Sequence, residues 1–471
     1  LDVQFAPSLP AYPETLLVTA SSSARLLDPL FASAAMLEIF SDARRLQAIL
    51  DFEAALARAL VRSSIAPKSA ARAIESQCVA TLFSFDLLAQ ESAQAGNLAI
   101  PLVHALTALV ASLDAPAAGF VHWGATSQDA LDTAAVLQLR DALDLFDRDL
   151  ARFAAAVAKI AESHAGTLLA GRTWLQQAPP VTLGLKAAGW LDALDRHAAR
   201  LRAARSRALV LQFGGAVGTL AALDSRGPAV AAALAKDLNL SLPAIPWHAS
   251  RDRFSEVAAV LGLLVGTLGK IARDISLLSQ TEIGEALEPA APGRGGSSTM
   301  PHKQNPVGCA VALAAAIRVP SLVSTMLSAM VQEHERGLGG WHAEWQTLPE
   351  ICLLASGALA QLTPVLEGLK IETACMSENL EITHGLILAE AVSFALARKI
   401  GKPQAHEIVE QACRRALAQR RHLRLVLRED QRVRPHLSQK EIVRLLDPKN
   451  YTGSARRMIK AVLAGRRPPK S

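Results

Sequence analysis

The chain has 471 residues, of which 51% are hydrophobic and 20% are charged. This composition excludes a disordered or fibrous protein, and the length allows a large buried core in two or three domains. Aromatic residues make up only 4% of the chain, whereas Ala and Leu, both strong helix formers, recur throughout. The composition therefore favours long helices and argues against an all-β protein.

The net charge of +6 is unevenly distributed along the chain. Residues 401–471 hold 18 Lys and Arg against 6 Asp and Glu, a net charge of +12, which leaves −6 for residues 1–400. The arginine-rich stretch 414–434 could bind nucleic acid or steer an anionic substrate. A solvated helical face is the favoured interpretation, because leucines interleave with the arginines and no aromatic residues accompany them. We therefore expect no nucleic-acid partner.

The apolar runs and the cysteines predict a soluble, cytoplasmic protein. The longest apolar run, 257–268, is too short to span a bilayer and continues into Lys270 and Arg273. No export signal is visible in the first residues. Five scattered cysteines show no CxxC spacing, and the chain has no HExxH motif. We therefore expect reduced thiols, no membrane partner and no metal.

Heptad-like apolar spacing recurs in three places and predicts three long bundle helices. The apolar stripes cover residues 136–160, 254–278 and 348–369. At about 1.5 Å per residue, each helix is at least about 30 Å long. Residues 182–209 and 306–332 predict two further, less regular helices. Three glycines in the second stripe are expected to permit the close approach of a neighbouring helix: Gly262, Gly266 and Gly269.

Breaks containing proline and glycine divide the chain into three predicted domains. A helical domain covers residues 1–115, in which Ser41 is the predicted N-cap of a helix. The long-helix bundle covers residues 116–400, and a small basic helical domain covers residues 401–471. Bundle stripes of this width can be filled within one chain or by other subunits. We favour an oligomer, because long helices with Ala and Gly faces suit association between chains.

The strongest candidate for chemistry is residues 293–306, with the sequence GRGGSSTMPHKQNP. Its first half is glycine-rich, and its second half carries hydroxyls, the imidazole of His302, the ammonium group of Lys303 and the amide of Asn305. Such a segment can close over a ligand, exclude water and deliver a hydroxyl together with cationic partners. A P-loop is excluded, because the order GxxxxGK[ST] is absent.

Three further polar clusters border the predicted helices. The segment VHWGATSQD at 121–129 places hydroxyls and backbone N–H groups at a helix start, an arrangement that suits a carboxylate ligand. Helix capping alone, by Thr126 or Ser127, is the alternative interpretation. The other two clusters are RTWLQQAPP at 172–180 and QEHER at 332–336.

Two of these segments resemble the signature regions of the fumarase/aspartase superfamily. They are GSSTMPHKQNP at 296–306 and TSQDALDT at 126–133, which occur in the superfamily's order. The resemblance implies an all-α, three-domain subunit and a homotetramer with a central bundle of long helices. It also implies active sites that are each assembled from three chains, and no cofactor. The heptad pattern predicts the same kind of bundle independently.

At position 174 the chain differs from many members of the superfamily, and this difference narrows the resemblance to one branch. Many superfamily members carry THxQ here, and its His moves a proton for the leaving group, whereas this chain has Thr173-Trp174-Leu175-Gln176. The chain resembles the superfamily's cycloisomerase branch, which closes a tricarboxylate diene to a lactone. The nucleophile in that reaction is a carboxylate, which is already ionised at neutral pH and needs no imidazole. The implied partner is therefore a small anionic tricarboxylate substrate.

The resemblance also implies roles for individual residues. Ser297 handles the proton at the carbon alpha to the activating carboxylate, and Lys303 with Asn305 stabilises the dianionic intermediate. Whether His302 or His334 replaces the imidazole absent at position 174 stays open. The remaining residues are implied to bind the substrate: His122, Thr126, Ser127, Trp174, Gln176, Ser298, Met300 and Arg336.

Two other functions stay open at this point. A carbon–nitrogen lyase of the same superfamily, such as an adenylosuccinate lyase, would have to work with Trp174 in place of the imidazole. A non-catalytic structural or nucleic-acid-binding protein would use the fold and the basic C-terminal region. The presence of Ser297, Lys303 and Asn305 argues against a protein without catalytic activity.

Overall fold

The computed structural model describes residues 26–290, 293–297, 299–300 and 302–466. These residues fold mainly into α-helices. The strands in the described ranges form two separate two-stranded antiparallel sheets. The predicted all-α fold class is therefore confirmed.

The N-terminal region is helical from residue 28, as predicted, and residues 1–25 lie outside the described ranges. Its described helices are α1 (Asp28–Phe31), α2 (Ala34–Ile39), α3 (Asp42–Arg62), α4 (Lys68–Gln77), α5 (Phe85–Ala95), α6 (Ala99–Leu113) and α7 (Ala115–Ala118). Ser41 caps α3 as predicted, and its hydroxyl accepts a hydrogen bond from the backbone nitrogen of Arg44 at 3.2 Å. Among the many apolar residues that α3 buries lies one carboxylate, Glu53.

The long helices follow, up to residue 367. In the described ranges they are α8 (Ser127–Ser163), α9 (Leu183–Ala208), α10 (Gly227–Leu238), α11 (Asp252–Leu278), α12 (Val307–Ser328) and α13 (Gly340–Glu367). The three predicted apolar stripes lie in α8, α11 and α13, and their side chains fill one continuous hydrophobic core. The helices predicted at 182–209 and 306–332 are α9 and α12. All five predicted helices are confirmed, although α12 ends at Ser328, before the predicted residue 332, and the third stripe runs two residues past the end of α13.

Two of the three glycines of α11 permit the expected close helix contact. A Cβ atom at Gly262 would lie 2.9 Å from a methyl group of Val323, and one at Gly269 would lie 2.6 Å from the Cβ of Ala316. Both partners belong to α12. Gly266 faces open space, because a Cβ atom there would have no neighbour within 4 Å among the described residues. The approach of α12 to α11 therefore requires glycine at two positions and not at the third.

The bundle helices have defined directions. Arg251, at the start of α11, makes ion pairs with Asp132 in α8 and Glu344 in α13, so these three helices begin at one end, here named the N end. α12 runs the opposite way, because the Ser255 hydroxyl near the start of α11 donates to the carbonyl of Met326 near the end of α12. The opposite end of the bundle is named the C end. Since α11 has 27 residues, the two ends lie about 40 Å apart.

A β-hairpin between α8 and α9 was not predicted from the sequence. It pairs β1 (Leu168–Thr173) with β2 (Gln176–Thr182). The two turn residues, Trp174 and Leu175, have φ angles of 53° and 63°. Two-residue hairpin turns with positive φ at both positions normally carry Asn, Asp or Gly. The sequence therefore lacks the usual hairpin signal, and the bulky turn residues are conformationally strained.

The C-terminal region forms a second hydrophobic core. A short sheet joins β3 (Ala286–Leu287) to β4 (Lys370–Ile371). The helices that follow are α14 (Thr373–Glu381), α15 (Ala389–Ile400), α16 (Lys402–Gln419), α17 (Leu423–Glu429), α18 (Gln439–Leu445) and α19 (Ala455–Ala464). The second core includes residues from Leu380 to Leu446, together with Ala170 of the hairpin. The domain boundaries at 115 and 400 stay predictions, and α15 packs with the helices that follow it.

In the part of the chain that the structure describes, three helices, α11, α12 and α13, are long and apolar enough to cross a membrane by length and composition alone. The most apolar stretches of α11 and α13 are mostly buried in the bundle, whereas that of α12 is only 33% buried. The exposed apolar side chains of α12 include Ile317 and Leu327. Exposed apolar area of this kind is typical of a surface that contacts another molecule.

Candidate active site

The segments 121–129 and 332–336 meet at the N end of the bundle. Arg336 donates from Nη1 to the Thr126 hydroxyl at 2.8 Å and from Nε to the Gln128 side-chain oxygen at 3.3 Å. Thr126 is the N-cap of α8, and Ser127, half-buried, is its first residue. The structure therefore brings three of the predicted substrate-binding residues into one cluster of hydroxyls and a guanidinium group.

Asp129 fixes the loop that carries this cluster. Its carboxylate is fully buried and accepts hydrogen bonds from the backbone nitrogens of Thr126, Gly214 and Gly215 at 2.9–3.0 Å. His248 Nε2 lies 2.7 Å from the same carboxylate. Asp129 therefore joins two distant loops, at 214–215 and at His248, to the start of α8.

A buried ion network underlies the cluster. Arg251 is 1% exposed and lies between the carboxylates of Asp132 and Glu344, with N–O distances of 2.5–3.1 Å. Burial alone would lower the pKa of Arg251, but the two carboxylates outweigh it and raise the pKa. Gln128 donates to Asp132 at 3.1 Å and accepts from Arg336, so the network reaches the cluster. Sequence reasoning missed this network, whose members are far apart in the chain.

His122 lies beside this cluster and has a carboxylate partner. Its Nδ1 is 2.6 Å from Oε1 of Glu53, and its φ angle is 56°. Burial by itself would lower the pKa of His122. The charge and hydrogen bond of Glu53, together with the charge of Asp129, outweigh that effect and raise the pKa above its ordinary value of 6.5. No sequence pattern indicated Glu53, because it lies in an otherwise apolar helix face.

The hairpin tip lies at the C end of the bundle. The side chain of Trp174 is 97% exposed, and Gln176 is also exposed. Arg172 forms two hydrogen bonds with the buried carboxylate of Glu285, at 2.7 and 2.9 Å, and Gln177 donates to the carbonyl of Asn379. The strands next to the turn are therefore anchored, whereas the two turn residues, Trp174 and Leu175, are exposed.

The segment 293–306 also lies at the C end, next to the start of α12. A hydrogen bond of 2.8 Å joins the nitrogen of Asn305 to the carbonyl of Gly295 and closes the neck of the segment. The Ser297 hydroxyl accepts hydrogen bonds from the backbone nitrogens of Thr299 and Met300 at 3.3 and 3.0 Å. Lys303 is exposed. Ser298 lies outside the described residues.

Within one chain the predicted site residues form separate groups. Thr126 and Arg336 lie at the N end, whereas Ser297, Lys303 and Trp174 lie at the C end, about 40 Å away along α11. No hydrogen bond or ion pair between described residues joins the two groups. One chain by itself therefore does not assemble the complete set of residues that the sequence motifs predict.

The remaining candidate groups are less organised. His302 and His334 are both exposed, and neither makes an ion pair with any residue in the described ranges. Within those ranges, no three His, Cys, Asp or Glu side chains are grouped to hold a metal ion. Four arginines of the basic stretch pair with carboxylates, which supports a solvated helical face. They are Arg414, Arg415, Arg421 and Arg432.

Known proteins match nearly the whole chain. Residues 31–321 match the family model described as "Lyase", and residues 385–462 match the model described as "Adenylosuccinate lyase C-terminus". A "3-carboxy-cis,cis-muconate cycloisomerase" from Pseudomonas aeruginosa is 59% identical over 440 residues, which are 93% of this chain and 96% of the relative. A protein of the same name from Pseudomonas putida is 56% identical, over 89% of this chain and 99% of the relative.

Solved structures agree with these relatives. The crystal structure of "3-carboxy-cis,cis-muconate lactonizing enzyme from Pseudomonas putida" has a TM-score of 0.90 and 54% identity, and the match covers 94% of this chain and 98% of that one. The match therefore spans nearly the whole length of both chains. The chain belongs to this lyase family, the fumarase/aspartase superfamily that its signature segments predicted.

Proposed function

We propose that the protein is a 3-carboxy-cis,cis-muconate cycloisomerase. The observation that carries the proposal is the 59% identity, over 93% of this chain, to a relative of that name. The tryptophan at the hairpin tip supports it, because lactone formation does not require an imidazole there. This activity belongs to the breakdown of protocatechuate, an aromatic compound.

The reaction is an intramolecular addition. One carboxylate oxygen of the tricarboxylate diene forms a bond to the carbon beta to an activating carboxylate. The electron pair of the double bond moves onto that carboxylate, and a proton then adds at the alpha carbon. The nucleophile is ionised at neutral pH, so no base is needed to generate it. The protein must bind three negative charges, stabilise the dianionic carboxylate of the intermediate and place one proton.

We assign the proton transfer to Ser297. A serine hydroxyl is a poor acid and base at its ordinary pKa and needs stabilisation of its alkoxide. The two backbone N–H groups of Thr299 and Met300, directed at the Ser297 oxygen, supply stabilisation of the oxyanion-hole type. Lys303 and Asn305, on the same segment, would stabilise the dianionic carboxylate of the intermediate.

The other site residues would bind and orient the substrate. At the N end, Thr126, Ser127 and Arg336 present hydroxyls and a guanidinium group that suit a carboxylate. At the C end, the flat indole ring of Trp174 suits the planar diene, and Gln176 adds an amide. Three residues complete the proposed binding set: His122, Ser298 and Met300.

We propose that the protein is a soluble, cytoplasmic homotetramer whose active sites are shared between chains. Arg336 and Ser297 lie at opposite ends of α11, which is about 40 Å long. This supports shared sites, since chains packed in opposite directions bring an N end beside a C end. The exposed apolar face of α12 offers a surface for such packing. Fractionation of cells and light scattering of the purified protein test the location and the subunit number.

Mixing two inactive variants tests the shared sites. We expect Ser297→Ala and Arg336→Ala each to abolish turnover. When the two are unfolded and refolded together, random assembly should restore about a quarter of the wild-type activity, because some sites then receive both intact residues from different chains. Each variant refolded alone is the control. No recovery in the mixture would show that both residues come from the same chain.

The activity itself is tested by the loss of ultraviolet absorbance of 3-carboxy-cis,cis-muconate in the presence of a chelator. We expect turnover by the wild-type protein, its loss in Ser297→Ala, and its retention in Ser377→Ala, which removes an exposed hydroxyl bonded to its own helix. A folded protein that does not consume this diene would contradict the proposal.

A carbon–nitrogen lyase is the second candidate function, and the match of residues 385–462 to the adenylosuccinate lyase C-terminus favours it. The substrate that discriminates between the two is adenylosuccinate, tested with the same preparation. Cleavage of adenylosuccinate without consumption of the diene would establish this alternative. Trp174→His, which restores the imidazole of the superfamily, is the matched variant for that assay.

A further inference from the structure

Glu53 is an unusual residue for the position it occupies. It lies in the middle of α3 and is 1% exposed, between buried apolar residues on both sides. One carboxylate oxygen is 2.6 Å from Nδ1 of His122, and the other, Oε2, is buried and has no hydrogen-bond partner among the described residues. A buried carboxylate with an unpartnered oxygen costs free energy of folding. Its place in α3 is therefore not explained by stability.

His122 is held in a strained backbone conformation. Its φ angle of 56° is in the left-handed region that non-glycine residues rarely adopt. The ring uses Nδ1 for Glu53, while Nε2 makes no hydrogen bond with any described residue. Since the side chain is 16% exposed, Nε2 is the nitrogen left for a ligand. Strained residues with one uncommitted polar atom are typical of binding and catalytic sites.

The electrostatic surroundings of His122 are negative. Two carboxylates act on it from different helices, Glu53 from α3 and Asp129 from α8. Asp129 is already satisfied by three backbone N–H groups and by His248. Burial by itself would lower the pKa of His122, but the two carboxylates raise it above 6.5. The carboxylates therefore favour the ring that carries a proton on both nitrogens.

We propose that Glu53 is a positioning residue, which keeps His122 positively charged and directs its Nε2–H toward a substrate carboxylate. The inference rests on the proposed function for the nature of the substrate. His122 precedes Thr126 by four residues, and the Thr126 hydroxyl accepts a hydrogen bond from Arg336. The N end thus supplies two cations, an imidazolium and a guanidinium, for a substrate with three carboxylates.

Neither His302 nor His334 has a partner like that of His122. His302 and His334 are exposed and make no ion pair with described residues. His122 alone among these three has a buried carboxylate at hydrogen-bond distance. Its charge serves to bind a carboxylate and takes no part in proton transfer, which stays with Ser297.

The charge is tested without substrate by NMR titration of histidine-labelled protein, with His122→Gln to assign the signal. We expect His122 to titrate above pH 6.5 in the wild-type protein and at least about one pH unit lower in Glu53→Gln. Glu91→Gln, which changes an exposed carboxylate in α5, should leave the titration unchanged. A wild-type value at or below 6.5 overturns the proposal even if Glu53→Gln does not fold.

The binding role is tested by the pH dependence of KM for 3-carboxy-cis,cis-muconate. From about pH 6 to about pH 8, we expect KM of Glu53→Gln to rise about ten times more than that of the wild-type enzyme, because the variant loses the imidazolium in this range. The kcat of the variant should stay within about twofold of wild type. Parallel KM profiles overturn the proposal. If the wild-type protein does not consume the diene, the proposed function fails. The NMR titration of His122 is then repeated with tricarballylate, and a shift in the titration decides whether the ring binds a carboxylate.

Discussion

Glu288 lies just before the segment 293–306 and caps the helix that follows it, with its Oε1 2.8 Å from the backbone nitrogen of Cys309. Its Oε2 accepts from the nitrogen of Gly308 at 3.1 Å. One carboxylate therefore ties both ends of the segment together at the start of α12, where the helix dipole also favours negative charge. The hydrogen bond from the nitrogen of Asn305 to the carbonyl of Gly295 joins the segment to itself at a second point.

Glu288→Gln is expected to weaken this anchor, because an amide loses the charge and offers only one acceptor oxygen. The free energy of unfolding should fall by about 1–2 kcal/mol, and kcat should fall more than KM changes, since Ser297 is less well placed. Urea unfolding and steady-state kinetics measure the two effects. The control is Glu282→Gln at an exposed carboxylate. Unchanged stability would contradict the anchoring role.

Arg251→Met is expected to be severely destabilising. The substitution preserves much of the side-chain length but leaves the buried carboxylates of Asp132 and Glu344 without a cation. Breaking a buried pair in this way costs about 3–5 kcal/mol. Thermal unfolding should show the loss, and the triple variant in which both carboxylates are also made neutral amides should recover part of it. A loss below about 1 kcal/mol in Arg251→Met would be inconsistent with the network described.

Substitutions in the hairpin turn should separate effects on stability from effects on activity. Asn tolerates positive φ, so both Trp174→Asn and Leu175→Asn should relieve strain and raise stability by up to about 1 kcal/mol. Only Trp174→Asn removes the ring proposed to stack on the diene, and its kcat/KM should fall at least about tenfold further than that of Leu175→Asn. Equal kcat/KM values for the two variants would exclude a specific role for Trp174.

Asp430 should make the stability of the C-terminal core depend on pH. Burial alone would raise the pKa of Asp430, but Arg432 and Arg415 outweigh it and lower the pKa. Its stabilising contribution is therefore present above the unfolded pKa of about 3.9 and is lost as pH falls through the lower folded value. Asp430→Asn should cost about 1–2 kcal/mol at pH 7, discounted for the half-exposed arginines. Its unfolding curve should approach that of wild type as pH falls through the folded pKa of Asp430, and a constant difference would contradict this.

The sequence predicted the bundle well, because each long helix repeats its own apolar spacing within a few turns. The N-cap at Ser41 and the close glycine contacts at Gly262 and Gly269 are equally local signals. The hairpin was missed, since its turn is Trp174-Leu175 and carries none of the usual turn residues. Its conformation is imposed by contacts from Arg172 to Glu285 that no local pattern records.

In the candidate site too, residues in recognisable segments were found from the sequence, and isolated residues were not. Ser297, Lys303 and Arg336 were found from segments with recognisable composition, and their proposed roles stay predictions. Glu53 and Glu344 were not found, because each is a single carboxylate in a helix whose neighbours are apolar. Their partners lie 69 and 93 residues away in the chain. Such pairs become visible only when the helices are placed side by side.

The length of α11 limits where the chain can accept insertions. In the proposed tetramer, the length of α11 determines where an N end of one chain meets a C end of another. Inserting four residues would lengthen α11 by about 6 Å and rotate everything beyond it by more than a full turn. The distance between Arg336 and Ser297 of neighbouring chains would change by far more than catalysis tolerates. Length variation should therefore be confined to connecting loops, and the middle of α11, remote from any substrate, should be as intolerant of insertion as the active site.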